Sequence, residues 1–293
     1  MRDQAEKLRW LARNLKDRVE SEITGSPRTT RVLAVTSGKG GVGKTNFTLN
    51  LGLALLEYGQ RVVLLDADMG LANIDVVLGM VPKYNLYHVV NGERRLSEII
   101  VEGPKGIRII PGGSGIKELA ALQPWQFEAL MMDVHSLEGT ADLLLIDTGA
   151  GVSSNVLNFL LTADEVVIIT TPEPTALTDA YGLIKIVSRE NPKSILRLVV
   201  NKVESDAEGM LVAHKLKIVT KKFLDVDLEF YGHIVRDSAV SEAVKKQQPF
   251  VLAYPNSPAS VCIHNLAAKM CNQTVKKPVG LRAFFNNVAS LFK

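Results

Sequence analysis

Ser37-Gly38-Lys39-Gly40-Gly41-Val42-Gly43-Lys44-Thr45-Asn46 is the stretch that decides the fold. The apolar run Val32-Leu33-Ala34-Val35 before it reads as a buried strand, and Phe47, Leu51, Leu53, Ala54 and Leu55 after it read as the core face of a helix. A glycine-rich turn between strand and helix gathers bare backbone N–H groups and a helix N-terminus at one point. Both favour negative charge, so that point suits phosphate. Gly38, Gly43, Lys44 and Thr45 complete G-x-x-x-x-G-K-[ST], with Gly40, Gly41, Val42 and Asn46 filling out the cradle. In this motif the lysine reaches the β/γ-phosphates and the hydroxyl holds Mg²⁺. Gly38, Gly40 and Gly43 also satisfy G-x-G-x-x-G, and Asp66 lies roughly where a ribose-binding acid would stand in a dinucleotide fold. That rival leaves Lys44-Thr45 unexplained, so the triphosphate reading is the one taken.

Outward from the loop, strand and helix patterns alternate. Apolar runs occur at Val32–Thr36, Val62–Leu65, Ile107–Ile110, Leu143–Ile146, Val166–Thr170 and Leu196–Val200, with a further strand ending near Tyr231–Val235. This order predicts an α/β fold: a mostly parallel, doubly wound P-loop NTPase sheet covered by helices on both faces, with ligands at the carboxyl ends of the strands. The expected organisation is an amphipathic partner-binding helix over 1–24, a linker over 25–30, the nucleotide domain over 31–275 and an amphipathic membrane-targeting helix over 276–293.

Polar residues at strand ends are therefore the ones to inspect. Asp66-Ala67-Asp68 places two carboxylates on one side of an extended strand. Beside a triphosphate they can hold Mg²⁺ or orient an attacking water; the bland alternative is a helix cap. Leu143-Leu144-Leu145-Ile146-Asp147 has the form of the second nucleotide motif, whose acid supports Mg²⁺, and Gly151 after it lets a backbone N–H approach a γ-phosphate. Asn201-Lys202-Val203-Glu204 nearly matches N-K-x-D, but Glu204 replaces the aspartate that grips guanine, which leans the reading to adenine with Asn201 at the base.

The 293 residues are 46% hydrophobic and 22% charged, an ordinary globular balance, and the net charge of +3 is too slight to argue for nucleic acid. The apolar runs are too short to span a membrane, and the N-terminus lacks a secretory signal's apolar core. Cys262 and Cys271 form no C-x-x-C site, and the five histidines are scattered, so a reducing cytoplasm is expected and no metal-ligand cluster is.

The two ends stand apart. Leu8, Leu11, Ala12, Leu15 and Val19 define an amphipathic helix, and Asp3 and Glu6 have the spacing of a capping box. It is either packed on its own domain or a tethered partner-binding element. After Lys276-Lys277-Pro278, Leu281, Phe284, Phe285, Val288, Leu291 and Phe292 fall within an arc of roughly 120°, a narrow face suited to a membrane interface; a docked terminal helix would use the same pattern.

With these residues in order, the chain resembles the MinD/ParA ATPases. Lys39 gives their deviant loop, Lys-Gly-Gly-Val-Gly-Lys-Thr; Asp66-x-Asp68-x-Gly70-Leu71-Ala72-Asn73-x-Asp75 and Asp147-Thr148-x-Ala150-Gly151 follow. The start Asp3-Gln4-Ala5-Glu6-Lys7-Leu8-Arg9, the stretch Glu173–Tyr181 and the terminal helix resemble the family's flagellar-number regulators. The resemblance implies an ATPase that uses ATP and Mg²⁺ and forms a homodimer with ATP bound. Lys44 would bind phosphates in cis, and Lys39 would cross to the partner subunit's ATP. Asp68 would position water, Thr45, Asp66 and Asp147 would serve the metal, and Gly151 would sense the γ-phosphate. It implies Asp3, Gln4, Leu8 and Arg9 as contacts to an FlhF-like, signal-recognition-type GTPase. It also implies flagellar switch-complex proteins or a flagellar transcription regulator as partners, and membrane lipids at the inner face of the cell membrane for the terminal helix. Direct DNA binding is not expected. The rivals are a division-site ATPase, a DNA-partition ATPase, an iron–sulfur carrier and an ATP-coupled ligase.

Overall fold

A computed structural model describes residues 29–68, 74–113, 124–272 and 280–291. The expected contacts Asp3, Gln4, Leu8 and Arg9, the helix over 1–24, and Phe292 lie outside them.

The order is β1 (Arg31–Ser37), α1 (Lys44–Glu57), β2 (Val62–Ala67), α2 (Ile74–Leu78), α3 (Leu86–Val90), α4 (Leu96–Ile99), β3 (Val101–Glu102), β4 (Arg108–Ile110), α5 (Pro124–Leu137), β5 (Leu143–Ala150), α6 (Ser154–Thr162), β6 (Glu165–Thr170), α7 (Pro174–Glu190), β7 (Ile195–Val203), α8 (Asp206–Leu224), β8 (Glu229–Val235), α9 (Ser238–Lys245), α10 (Phe250–Ala253), α11 (Pro258–Cys271) and α12 (Leu281–Leu291). The strands form one sheet in the order β3-β4-β2-β5-β1-β6-β7-β8, parallel except for β3 against β4. β3 is two residues long, too short to show any period in the sequence.

Alternate residues of β1 feed opposite sides. Val32 and Ala34 join a core with α5 to α8, while Leu33 and Val35 join one with α1 and α11. Strands buried on both faces read as continuous apolar runs, which is why the sequence showed them so plainly. Helix α1 leads from β1 to β2 on one face, and α6 leads from β5 to β6 on the other, in opposite directions along the sheet. Their strands part at β1 and β5, and the crevice at the carboxyl ends of those strands is where such sheets bind ligands.

Helix α12 takes the docked alternative of its two readings. Leu281, Phe284, Phe285 and Val288 are buried in the same core as β1 and β5, and only Leu291 of the described apolar face is half exposed. Phe284 stacks on Phe159 at 6.2 Å between ring centres and meets Phe285 edge-on at 5.2 Å. The pattern could not distinguish core from bilayer, because both present the same apolar surroundings to one face of a helix. Four such side chains at about 1.5–3 kcal/mol each make the docking substantial before entropy is counted. The start of α12 is also held by polar contacts. Glu138 Oε2 accepts the N–H groups of Leu281 (2.7 Å) and Arg282 (3.3 Å), and its Oε1 accepts the N–H of Thr30 (2.9 Å).

Candidate nucleotide site

The loop between β1 and α1 turns through two left-handed glycines, Gly41 (φ 76°) and Gly43 (φ 98°), a conformation that other residues adopt only under strain. The Phe47 N–H bonds to the Gly43 carbonyl at 2.9 Å, so the helix begins as the glycines end. Gly40 and Gly41 are exposed, and a side chain there would meet nothing, which leaves open space over the loop. Gly38 and Gly43 are needed for a different reason. A Cβ on Gly38 would fall 2.3 Å from the Asp179 backbone of α7, and one on Gly43 would fall 2.5 Å from Asn201 Nδ2.

The loop is braced from β7. Asn201 Nδ2 donates to the Val42 carbonyl at 2.7 Å, and Lys202 Nζ donates to the Gly41 carbonyl at 2.8 Å. Asn201 Oδ1 accepts the Lys202 N–H at 2.8 Å. Asn201, expected at the base, is thus engaged beneath the phosphate loop, and Glu204 pairs with Arg236 at 2.7 Å. In this structure the N-K-x-E stretch holds the loop.

The acids gather beside the loop. In the register of β2 and β5, Asp66 stands opposite Asp147 and Ala67 opposite Thr148. Asp66 is buried and accepts two backbone amides, from Asp68 and from Ile74 at the start of α2, each at 3.2 Å. The cap reading therefore describes what it does here, with its carboxylate still beside Asp147. Asp68 is partly exposed, and a Cβ built on Gly149 would lie 3.6 Å from its Oδ1, so it overhangs the backbone leading to Gly151. Gly151 is left-handed (φ 90°), and its N–H bonds to the Ser37 carbonyl at 2.9 Å.

Asp147 is fully buried. Thr48 Oγ1 donates to its Oδ1 at 3.3 Å, and its Oδ2 has no hydrogen-bond partner. Burial pushes its carboxyl up to about 7; Thr45 and Lys44 pull down, while Asp66 and Asp68 add to the rise. An orphaned carboxylate oxygen and the buried Lys44 beside a bare amide loop fit a polyphosphate with a divalent cation. Among the described residues, no cluster of three His, Cys, Asp or Glu side chains forms a closed cage. Mg²⁺ needs none, since it is held by one or two protein groups together with phosphate oxygens. Thr45 and Asp147, with Asp66 opposite Asp147 in the sheet, are the side chains that would hold it.

The two lysines of the loop are treated differently. Lys44 is buried, while Lys39 keeps 40% of its side chain exposed. Lys39 Nζ reaches sideways to Glu173 Oε2 (2.9 Å) and Thr175 Oγ1 (3.0 Å) at the start of α7. That hydrogen bond and charge hold the Glu173 carboxyl below its usual range. Nothing in the sequence pointed to this pair, whose members lie 134 positions apart. Thr48 was likewise missed, though it lies one helical turn beyond Lys44 and so faces the same point.

Comparison with known proteins agrees with this geometry. The family described as CobQ/CobB/MinD/ParA nucleotide binding domain matches residues 33–250. The antiactivator FleN of Pseudomonas aeruginosa is 43% identical over 246 residues, covering 84% of this chain and 88% of FleN. The flagellum site-determining protein YlxH of Helicobacter pylori is 36% identical over 265 residues, covering 88% and 90%. Among solved structures, the septum site-determining protein MinD complexed with Mg-ADP from Pyrococcus horikoshii superposes with a TM-score of 0.66 at 27% identity, covering 81% of this chain and 94% of that one.

Proposed function

The chain belongs to the CobQ/CobB/MinD/ParA nucleotide-binding family, in its ATP-binding MinD/ParA branch with flagellar regulators as homologues, and on that premise we propose that it is an ATP-gated dimerising switch that sets flagellar number or placement. The observation that carries the reading is the division between the two loop lysines. Lys44 is committed inward to its own cradle, whereas Lys39 stands at the surface with 40% of its side chain exposed.

In this reading the loop amides and Lys44 hold the triphosphate, and Asn201 and Lys202 keep the loop in shape. Thr45, Asp147 and Asp66 hold Mg²⁺, which when bound neutralises phosphate charge. Asp68 orients the attacking water above the Gly149–Gly151 backbone. Gly151 exchanges its bond to Ser37 for one to the γ-phosphate, so loss of that phosphate resets the segment. Positioning and charge neutralisation are what phosphoryl transfer needs, and these side chains supply both. Lys39 leaves Glu173 and Thr175 to meet the other subunit's nucleotide, so the dimer forms only with ATP bound.

Membrane association then requires α12 to leave its groove and offer Leu281, Phe284, Phe285, Val288 and Leu291 to lipid, together with Phe292. One such helix binds weakly and a dimer's pair binds far better. No helix among the described residues is long and apolar enough to cross a membrane, in keeping with a reversible surface contact. Asp3, Gln4, Leu8 and Arg9 contact an FlhF-like GTPase and stimulate it; flagellar switch-complex proteins or a flagellar transcription regulator are the further partners.

Light scattering of the purified chain with ATP and with ADP tests the core of this reading. A dimer with ATP alone, lost in Lys39→Ala while ATP still binds, is the expected result; an unchanged dimer in that variant removes the crossing role. Vesicle co-sedimentation with both nucleotides tests the membrane step, with ATP-dependent binding expected.

A further inference from the structure

Helix α8 is the least covered long helix of the sheet's flank. It runs 19 residues, roughly 28 Å, from the carboxyl end of β7 back to the start of β8. Gly209, Val212, Ala213, Leu216 and Thr220 face inward. The outward face mixes lysines with apolar side chains. Met210, Leu211 and Ile218 on it each leave more than half of their surface exposed. Single exposed apolar residues are ordinary; Leu211 and Ile218 lie on one line along this face.

Their spacing is specific. Ala207, Leu211, His214, Ile218 and Lys221 recur at steps of four, three, four and three, the seam of a helix that pairs with another helix. Lys215 and Lys222 line one edge of that seam and Lys217 the other, all exposed. Lys221 is paired with Asp225 at 2.7 Å, whereas among the described residues Lys215 and Lys217 make no ion pair. No acid occurs between Glu208 and Asp225. Flanking charges of one sign choose the partner. A second copy of this chain on the same seam would set lysine against lysine in either orientation.

We propose that the outward face of α8 is a docking surface for an acidic amphipathic helix of another protein, seated on Leu211 and Ile218 and flanked by carboxylates opposite Lys215, Lys217 and Lys222. Leu211 and Ile218, one heptad apart, are the apolar anchors, and the lysines set register and charge sign. The surface is independent of the nucleotide reading, because α8 lies along the side of the sheet and not at the crevice above β1 and β5.

The test uses the full chain and a fluorescein-labelled synthetic helix of three heptads, with leucine at the seam positions and glutamate at both edges, followed by fluorescence anisotropy. Saturable binding is expected. Ile218→Asp should weaken it by at least about tenfold, the loss of one central apolar anchor. Lys215→Glu with Lys222→Glu should lose the acidic peptide and gain a lysine-edged version of it. These residues are exposed, so the melting temperature should hold; Ile218→Ser serves if the aspartate variant folds poorly. Equal binding by the parent chain and Ile218→Asp, or equal binding of a scrambled peptide of the same composition, overturns the proposal. So does absence of peptide binding together with loss of affinity for phosphatidylglycerol vesicles in the double lysine variant, which would make the face a lipid contact.

Discussion

The two ends of the parallel sheet both bury charge, and they do so in opposite ways. At the amino ends of the strands, Glu165 is fully buried and pairs with both Arg31 and Arg197, and Arg197 also reaches Glu229 at 3.1 Å. The Arg197 guanidinium and the Lys269 ammonium cover the Tyr231 ring at 4.8 and 4.9 Å. Each charge there faces an opposite charge or a ring, although Arg31 Nη2 and the Tyr231 hydroxyl are buried without a hydrogen-bond partner. At the carboxyl ends, Lys44, Asp66, Asp68 and Asp147 converge beside a bare amide loop, and Asp147 keeps an oxygen without a partner. Paired buried charge favours structure, whereas charges converging on one point at the carboxyl ends of the strands are the arrangement a ligand site uses.

Substitutions that exchange these roles test the contrast. Glu165→Ala leaves two buried guanidinium groups facing each other and should cost about 3–5 kcal/mol of stability. Denaturant titration would measure that loss, and ATP affinity of the folded fraction should persist. Lys44→Ala should do the reverse: turnover falls by about 10²- to 10³-fold, the scale of losing one preorganised charge, with no loss of melting temperature in the nucleotide-free chain. An unfolded Lys44→Ala variant would make the two ends alike.

Asp147→Asn sharpens the comparison through pH. The Asp147 carboxyl sits near 7 in the folded chain, well above the ordinary value of about 3.9. Between those two values the folded state keeps a proton that the unfolded chain releases. The group's effect on stability therefore worsens as pH rises from about 4 to 7 and is constant above. The asparagine variant, free of that cost, should melt higher than the parent at pH 8 and gain little at pH 4, while losing metal-dependent turnover. Smallest is the effect at the surface. Glu173→Gln unties Lys39 and should lower the ATP concentration needed for dimerisation by about two- to fivefold, as exposed pairs do; no shift would mean Lys39 is not restrained there.

The same contrast explains what the sequence could show. Seven strands and the phosphate loop were legible because strands buried on both faces are unbroken apolar runs, and because glycine, lysine and threonine at fixed spacing have few other uses. Asp66 and Asp147 stand opposite one another at the carboxyl ends of β2 and β5, as the apolar runs before them implied, yet that Asp66 caps α2 depends on where residue 74 returns. Asn201 was found by its motif, but that its amide holds the Val42 carbonyl was not legible, since a motif gives position and the loop's curvature decides which atom comes within reach. Lys39 against Glu173 and the α12 groove were illegible for one reason: each needs a partner supplied by distant chain, and local pattern carries no information about that partner.

Glu138 joins two stretches, at Thr30 and at Leu281, that lie far apart in the sequence: its carboxylate receives the amide of Thr30 through one oxygen and those of Leu281 and Arg282 through the other. Three amides that share one acceptor lose their protection together. Deuterium uptake at Thr30 and at the first turn of α12 should therefore report a single opening free energy, and Glu138→Gln should shift both by the same amount, so the entry and the last helix of this domain exchange with solvent as one cooperative unit.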